Sequence, residues 1–381
     1  MGEQDKAVVP FTLDVPEAEL EDLRLRLGRT RWPEAETVDD WSQGIPLAYV
    51  QELCWTWQHE YDWRATEARL NGLGQYRTEL DGLGIHFLHV RSPEPGALPL
   101  VLTHGWPGSV MEFLEVIGPL SDPVAHGGRP EDAFHVVCPS LPGYGWSDRP
   151  SRTGWGLARI GAAWATLMAR LGYQRYGAQG GDWGAMTSVA LALADPAHCA
   201  GVHLNMVMGA GPDPGEELTE AELAEKARMK AFARTGRGYS GQQATRPQTL
   251  GYGLVDSPAG QAAWIVEKFH EWADCDGHPE NVLTRSQLLD NVMAYWLPGT
   301  GASSARLYWE SFSSFRFDTL DVPTGFSQFP GEISHPSRRF VERRFTDLRY
   351  WGEPARGGHF AAFEQPELFV DEVRAFFALV R

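Results

Sequence analysis

Gly180-Gly181-Asp182-Trp183-Gly184 follows a short apolar stretch at 176–179, read as a strand, and leads into a stretch at 184–194, read as a helix. The pattern glycine, any residue, nucleophile, any residue, glycine marks a sharp strand-to-helix turn that lifts one side chain clear of a sheet. Small residues at 180 and 184 let the turn close and let the helix lie near the strand. The usual occupant of the central position is serine; here it is Asp182. A carboxylate cannot carry out ordinary serine-esterase chemistry, but it can displace at an sp³ carbon and form an alkyl ester. That restricts the electrophile to something like an epoxide or an alkyl halide. Taken alone, Asp182 is also explained as the N-cap of a helix in a tight turn, so the flanking sequence has to decide.

Upstream and downstream of the turn, buried strands alternate with helices. Strands are expected at 98–103, 134–138, 176–179 and 201–206, and helices at 109–120, 157–171 and 184–194. Such alternation implies a mostly parallel sheet with helices on both faces. The rhythm breaks at 209–300, which opens on Gly-Pro-Asp-Pro-Gly (211–215) and carries helical stretches near 217–233 and 259–272. It resumes with a strand at 322–329, a segment at 336–345, a strand at 348–351 and a last helix at 366–380. The interruption reads as a lid over the carboxyl edge of the sheet, where open α/β sheets place their sites. Ahead of the sheet, 1–95 reads as an arm with helices at 16–27 and 46–61 and a hairpin turning at Asp81-Gly82. Trp32, Trp41, Trp55, Trp57 and Trp63 are too many large aromatics for solvent, so the arm is expected to lie against the rest of the protein. The expected divisions are therefore an arm (1–95), a first half of the core (96–208), the lid (209–300) and a second half of the core (301–381).

A nucleophile turn, a lid and a late histidine in that order are the marks of the α/β-hydrolase fold, whose triad runs nucleophile, acid, histidine along the chain. His359, in Arg-Gly-Gly-His-Phe (356–360), falls between the last strand and the last helix, where the triad histidine belongs. Glu332 directly follows the late strand 322–329 and is the expected acid. Glu364 is nearer in sequence but opens the final helix, where a structural role suffices, and the alternative acid position after 201–206 holds Asn205. His-Gly-Trp-Pro-Gly (104–108) follows the strand 98–103, which assigns the backbone N–H groups of Trp106 and Trp183 to an oxyanion hole.

These residues resemble the epoxide hydrolases of the microsomal and juvenile-hormone type, over nearly the whole chain. His-Gly-Trp-Pro-Gly-Ser (104–109), Gly-Gly-Asp-Trp-Gly (180–184) and Arg-Gly-Gly-His-Phe-Ala-Ala-Phe-Glu (356–364) look like that family's core motifs, and Phe-Pro-Gly-Glu-Ile (329–333) like its acid. In the lid, Gly-Tyr-Ser-Gly-Gln-Gln-Ala-Thr-Arg-Pro-Gln-Thr (238–249) and Ser-Ser-Ala-Arg-Leu-Tyr (303–308) resemble its two tyrosine motifs. The resemblance implies that Tyr239 and Tyr308 protonate an epoxide oxygen, that Asp182 forms the ester, and that water activated by His359 and Glu332 cleaves it to a vicinal diol. A phenol of ordinary pKa about 10 stays protonated at neutral pH and suits the acid's part. Tyr252 and Tyr295 are equally aromatic, and only the motif match selects the other two. No cofactor is required. The membrane anchor of microsomal members has no counterpart in this sequence, which removes the case for the endoplasmic reticulum.

The rest of the sequence narrows the setting. Net charge is −17, from 33 basic and 50 acidic residues, which argues against nucleic acid and anionic membranes as partners. Cys54, Cys138, Cys199 and Cys275 are scattered and read as reduced thiols of a cytoplasmic protein. Residues 1–6 lack a signal-peptide pattern, and no run approaches the roughly 18–20 apolar residues of a membrane span. His86 and His89 lie three apart on a strand and face opposite sides, so they cannot share a metal. No Walker motif exists, and Gly72-Leu-Gly74 lacks the third glycine of a dinucleotide site. Two rival readings stand: a haloalkane dehalogenase, which needs N–H donors for halide rather than phenols, and a non-catalytic small-molecule-binding protein on the same scaffold. The substrate epoxide and the oligomeric state, a homodimer included, stay open.

Overall fold

The computed structural model describes residues 7–312, 315 and 317–381; the expectation for residues 1–6 lies outside the described residues. One nine-stranded sheet runs through the molecule: β1 (Val9–Pro10), β2 (Gln75–Leu80), β3 (Leu83–Val90), β4 (Leu98–Thr103), β5 (Phe134–Pro139), β6 (Tyr176–Gly180), β7 (Cys199–Leu204), β8 (Thr324–Ser327) and β9 (Leu348–Gly352). Its spatial order is β1-β2-β3-β5-β4-β6-β7-β8-β9. The pairs from β1 to β5 on the arm side are antiparallel, and every later pair is parallel. Strands β6 and β7 are buried along their whole length, as parallel strands covered on both faces must be. The chain runs from β4 outward to β5 and then crosses to β6 on the other side of β4. The loops after β4 and β6 therefore meet in the crevice of a topological switch point.

The helices, in chain order, are α1 (Glu17–Gly28), α2 (Leu47–His59), α3 (Trp63–Asn71), α4 (Leu114–Ser121), α5 (Leu157–Arg170), α6 (Asp182–Ala194), α7 (Glu220–Thr235), α8 (Gly238–Thr245), α9 (Pro247–Asp256), α10 (Pro258–Trp272), α11 (Arg285–Trp296), α12 (Gly301–Ser311), α13 (Arg338–Arg344), α14 (Ala361–Glu364) and α15 (Pro366–Phe377). Helices α5 and α6 pack together over the sheet, with the backbone of α6 so close to Gly161 that a Cβ there would sit 2.5 Å from Leu191 N. Helices α4 and α15 pair over the other face.

The lid holds more helices than the two expected. Helices α8 and α9 were not foreseen, nor was α11, and α12 continues beyond residue 300 and packs on α8 and α9. In the arm, the segment read as one helix over 46–61 is followed by a second, α3. Trp57 and Trp63 are buried as expected, whereas Trp32 and Trp55 stay exposed, Trp55 lying on the ring of His59. The arm touches the lid in particular. Tyr61 and Thr66 donate hydrogen bonds to Asp290, Trp57 Nε1 donates to Met293 Sδ, and Trp41 stacks on His270 at 3.8 Å. Among the described residues, no helix is long and apolar enough to cross a membrane.

Candidate active site

Asp182 opens α6 with φ at +47°, a left-handed conformation that side chains other than glycine rarely adopt. The strain persists because the surroundings leave no alternative. A Cβ on Gly180 would come 2.2 Å from the Gly184 carbonyl carbon, and one on Gly184 would come 1.8 Å from Thr103 O. Both glycines are thus required for the helix to pass so near β4 and β6. The first backbone bond of α6 runs from Ala185 N to Gly181 O, so the Trp183 N–H has no partner within the helix. It points from the positive end of the helix, next to the carboxylate.

The loop after β4 supplies the second donor. The Trp106 N–H gives a 2.8 Å hydrogen bond to Asp182 Oδ1. His104 fixes this loop from within: its Nδ1–H donates to Gly105 O at 3.0 Å, and its Nε2 accepts from Leu141 N at 3.2 Å. Burial pushes its pKa down to about 4, so the ring stays neutral and keeps that pattern.

Glu332 and His359 meet Asp182 from loops after β8 and β9. Gly331 and Gly358 form an isolated parallel bridge that holds the two loops side by side. His359 Nδ1 lies 2.8 Å from Glu332 Oε1, and its Nε2 lies 3.4 Å from Asp182 Oδ2. Glu332 Oε1 also accepts from Ile333 N at 2.6 Å. Burial works against protonating His359, but the carboxylates of Glu332 and Asp182 outweigh it and raise its pKa well above the usual imidazole range. Glu364 accepts N–H bonds from Asp274, Gly358 and Phe360, bracing the histidine loop. Asn205 accepts from Gln179 Nε2.

Over this group, Tyr239 on α8 and Tyr308 on α12 close the lid. Tyr239 stacks on Trp106, with centroids 5.1 Å apart and planes 8° off parallel, while Tyr308 stands edge-on to Trp183 at 4.7 Å. The two tyrosine rings are 5.8 Å apart. Lys268, buried and paired with Glu267 and Glu271, places its ammonium 5.0 Å from the Tyr239 ring centroid. Burial and the Asp182 charge raise both phenols above their ordinary pKa, so both hold their protons. The Tyr308 hydroxyl is buried with no hydrogen-bond partner among the described residues. Asp182 and both tyrosines line a cavity of about 280 Å³, walled mostly by apolar groups that include Met186, Met206, Met208 and Met229, with Arg237, Ser240 and Ser334 as further polar residues. Tyr252 is exposed on α9, and Tyr295 donates to Gly108 O, so neither faces this cavity.

Residues 8–113 match the family described as epoxide hydrolase N terminus, and residues 99–248 match the alpha/beta hydrolase fold. Epoxide hydrolase 1 of Oryctolagus cuniculus is 36% identical over 412 residues, covering 100% of this chain and 90% of that protein. This chain belongs to the epoxide hydrolase family. A Stigmatella aurantiaca protein provisionally named an epoxide hydrolase is 55% identical over 377 residues, covering 98% of this chain and 86% of its own. The crystal structure of juvenile hormone epoxide hydrolase from Bombyx mori superposes with a TM-score of 0.90 at 32% identity, covering 100% of this chain and 96% of that one.

This epoxide hydrolase also carries supporting residues that sequence reasoning missed. Asn291 on α11 bridges the loop after β4: its Nδ2 donates to Pro107 O at 2.8 Å, and its Oδ1 accepts from Ser109 Oγ at 2.8 Å. Tyr295, one turn later, bonds Gly108 O at 2.6 Å. A buried asparagine and tyrosine four apart on an apolar helix face were the available signal.

Proposed function

We propose that this enzyme opens an epoxide to a vicinal diol through a covalent ester at Asp182. One phenol, Tyr239 or Tyr308, gives its proton to the epoxide oxygen as Asp182 attacks a ring carbon and the ring C–O bond breaks. Asp182 Oδ1, held by the Trp106 N–H, stays the ester carbonyl; the other oxygen forms the new bond. Alkylation removes the negative charge of Asp182, which lowers the proton affinity of His359 and frees its Nε2 to act as base. Water then adds to the ester carbonyl, the Trp106 and Trp183 N–H groups hold the oxyanion, and the bond from the carboxyl carbon to Oδ2 breaks, so that the diol leaves with the Asp182 oxygen. The diol alkoxide takes the proton from His359, and the tyrosine recovers its own. The observation that carries this reading is the shared cavity: the Asp182 carboxylate and an unpartnered buried phenol at Tyr308 face one apolar space. Leaving a buried hydroxyl unpaired costs about 1–3 kcal/mol, and a bound epoxide oxygen would accept from it. The apolar, methionine-rich wall supports a bulky apolar epoxide, since thioethers adapt to irregular shapes.

A single turnover in ¹⁸O-water tests the route. The new oxygen of the first diol should come from Asp182 and carry no label. Label in the first-turnover diol would mean direct attack by water and would overturn the covalent reading.

A further inference from the structure

Beneath Asp182, a second and much smaller void of about 20 Å³ is walled by the core and not by the lid. Its lining includes Asp182, His359, Glu112, Gln179, His104 and Asn205. A void needs roughly 10–15 Å³ to hold a water, so this one takes a single molecule. Three further features mark it as built for water. Gln179 is 1% exposed, and its Nε2 donates to Asn205 Oδ1, which leaves Oε1 as an acceptor with no partner. Glu112, in the helical turn at Val110–Phe113, lines the void and forms no ion pair among the described residues. Its carboxyl occupies the place of a missing side chain: a Cβ on Gly108 would lie 1.4 Å from Glu112 Oε1. A glycine is therefore required at 108 for the carboxyl to reach this position.

We propose that this void holds the water that cleaves the Asp182 ester, and that Glu112 and Gln179 orient it. The proposal rests on the covalent route above. One O–H of the water points at His359 Nε2 and the other at Gln179 Oε1, while the Glu112 carboxyl donates to one lone pair of the water oxygen and leaves the other turned toward the ester carbonyl. As the water oxygen bonds to the carbonyl carbon, His359 takes the first proton; the oxyanion on Oδ1 collapses and the bond from the carboxyl carbon to Oδ2 breaks, with the proton passing to the leaving alkoxide. Asp182 ends as the acid carrying the water's OH, and its proton returns to the tyrosine. Burial pushes the Glu112 pKa up to about 8, so at neutral pH it acts as a neutral carboxyl whose O–H donates that bond without placing a second charge beside Asp182.

The test separates the two steps. Styrene oxide is mixed with excess enzyme, and adduct formation and decay are followed by rapid quench and intact-protein mass spectrometry. In Glu112→Leu and Gln179→Leu, adduct decay should slow by about tenfold or more, the worth of one lost hydrogen bond in the transition state. Adduct formation should stay near the wild-type rate, which also shows that the protein is folded. Glu112→Gln keeps the volume and a donor and should slow decay by less; if the leucine variants fail to fold, it decides alone. Wild-type decay in a folded variant would overturn the proposal, as would equal slowing of both steps. If His359→Ala gives no adduct at all, the covalent route falls and this proposal with it.

Discussion

In the proposed route Asp182, held in the left-handed region, carries the reaction, and its neighbours differ in how replaceable they are. Two phenols on one oxygen share a task, so Tyr239→Phe and Tyr308→Phe should each slow alkylation in part. The double variant should lose about 10²–10⁴ in rate, the usual worth of general-acid assistance. Tyr252→Phe, exposed on α9, should leave alkylation unchanged. A double variant that alkylates at the wild-type rate would place the acid elsewhere. His359 offers a different check. Its raised pKa comes from two carboxylates, and alkylation silences one of them. The rate of ester decay should therefore rise with pH as His359 loses its proton, with a midpoint below the imidazole pKa of the free enzyme measured by NMR. His359→Ala should trap the adduct. Equal midpoints in the two states would mean that Asp182 does not hold the imidazolium.

Elements matter here as supports. The loop after β4 owes its shape to α11, through Asn291 and Tyr295, rather than to the core alone. Asn291→Leu leaves Pro107 O without its donor and the Ser109 O–H without its acceptor, and should cost about 1–3 kcal/mol for each buried group stranded. Urea denaturation measures that loss. Because the Trp106 N–H rides on the same loop, single-turnover rates of both chemical steps should fall together. Asp182, His359, Glu332 and the loop after β4 were legible as candidates, each beside glycines near a strand end, and the structure brings them together. The sequence hid α8, α9 and α12, and the reason lies in their contacts. Gly251 faces Ala302 so closely that a Cβ would lie 2.5 Å from the alanine Cβ, and Ser303 and Ser304 are buried. Helices that pack through glycine, alanine and serine show no apolar stripe to read. Helix α3 was missed for a related cause, burying Thr66 and Glu67 on its inner face.

At the scale of the whole molecule, the mostly parallel sheet was legible from strand alternation, but the hairpin's place as its antiparallel flank and the attachment of the arm were not. The arm's aromatic content implied packing without saying where: Trp57 meets the lid at Met293 and Trp296, and Trp63 lies against Trp146 of the core. Asp290→Ala removes the acceptor shared by Tyr61 and Thr66, which should cost about 1.5–3 kcal/mol as bonds to a charged group. Limited proteolysis should then cut the lid faster than in the wild type, while unchanged cleavage would show that the arm does not hold it. The same attachment sets an order of events in the making of the protein. Tyr61 and Asp290 are 229 residues apart, and Trp57 and Met293 are 236 apart. At a synthesis rate of roughly 5–20 residues per second, the arm emerges about ten seconds to a minute before its partner exists. Through that interval Trp57 has no lid to cover it, so a nascent or truncated chain ending before α11 presents a sticky aromatic face that holding chaperones would have to shield.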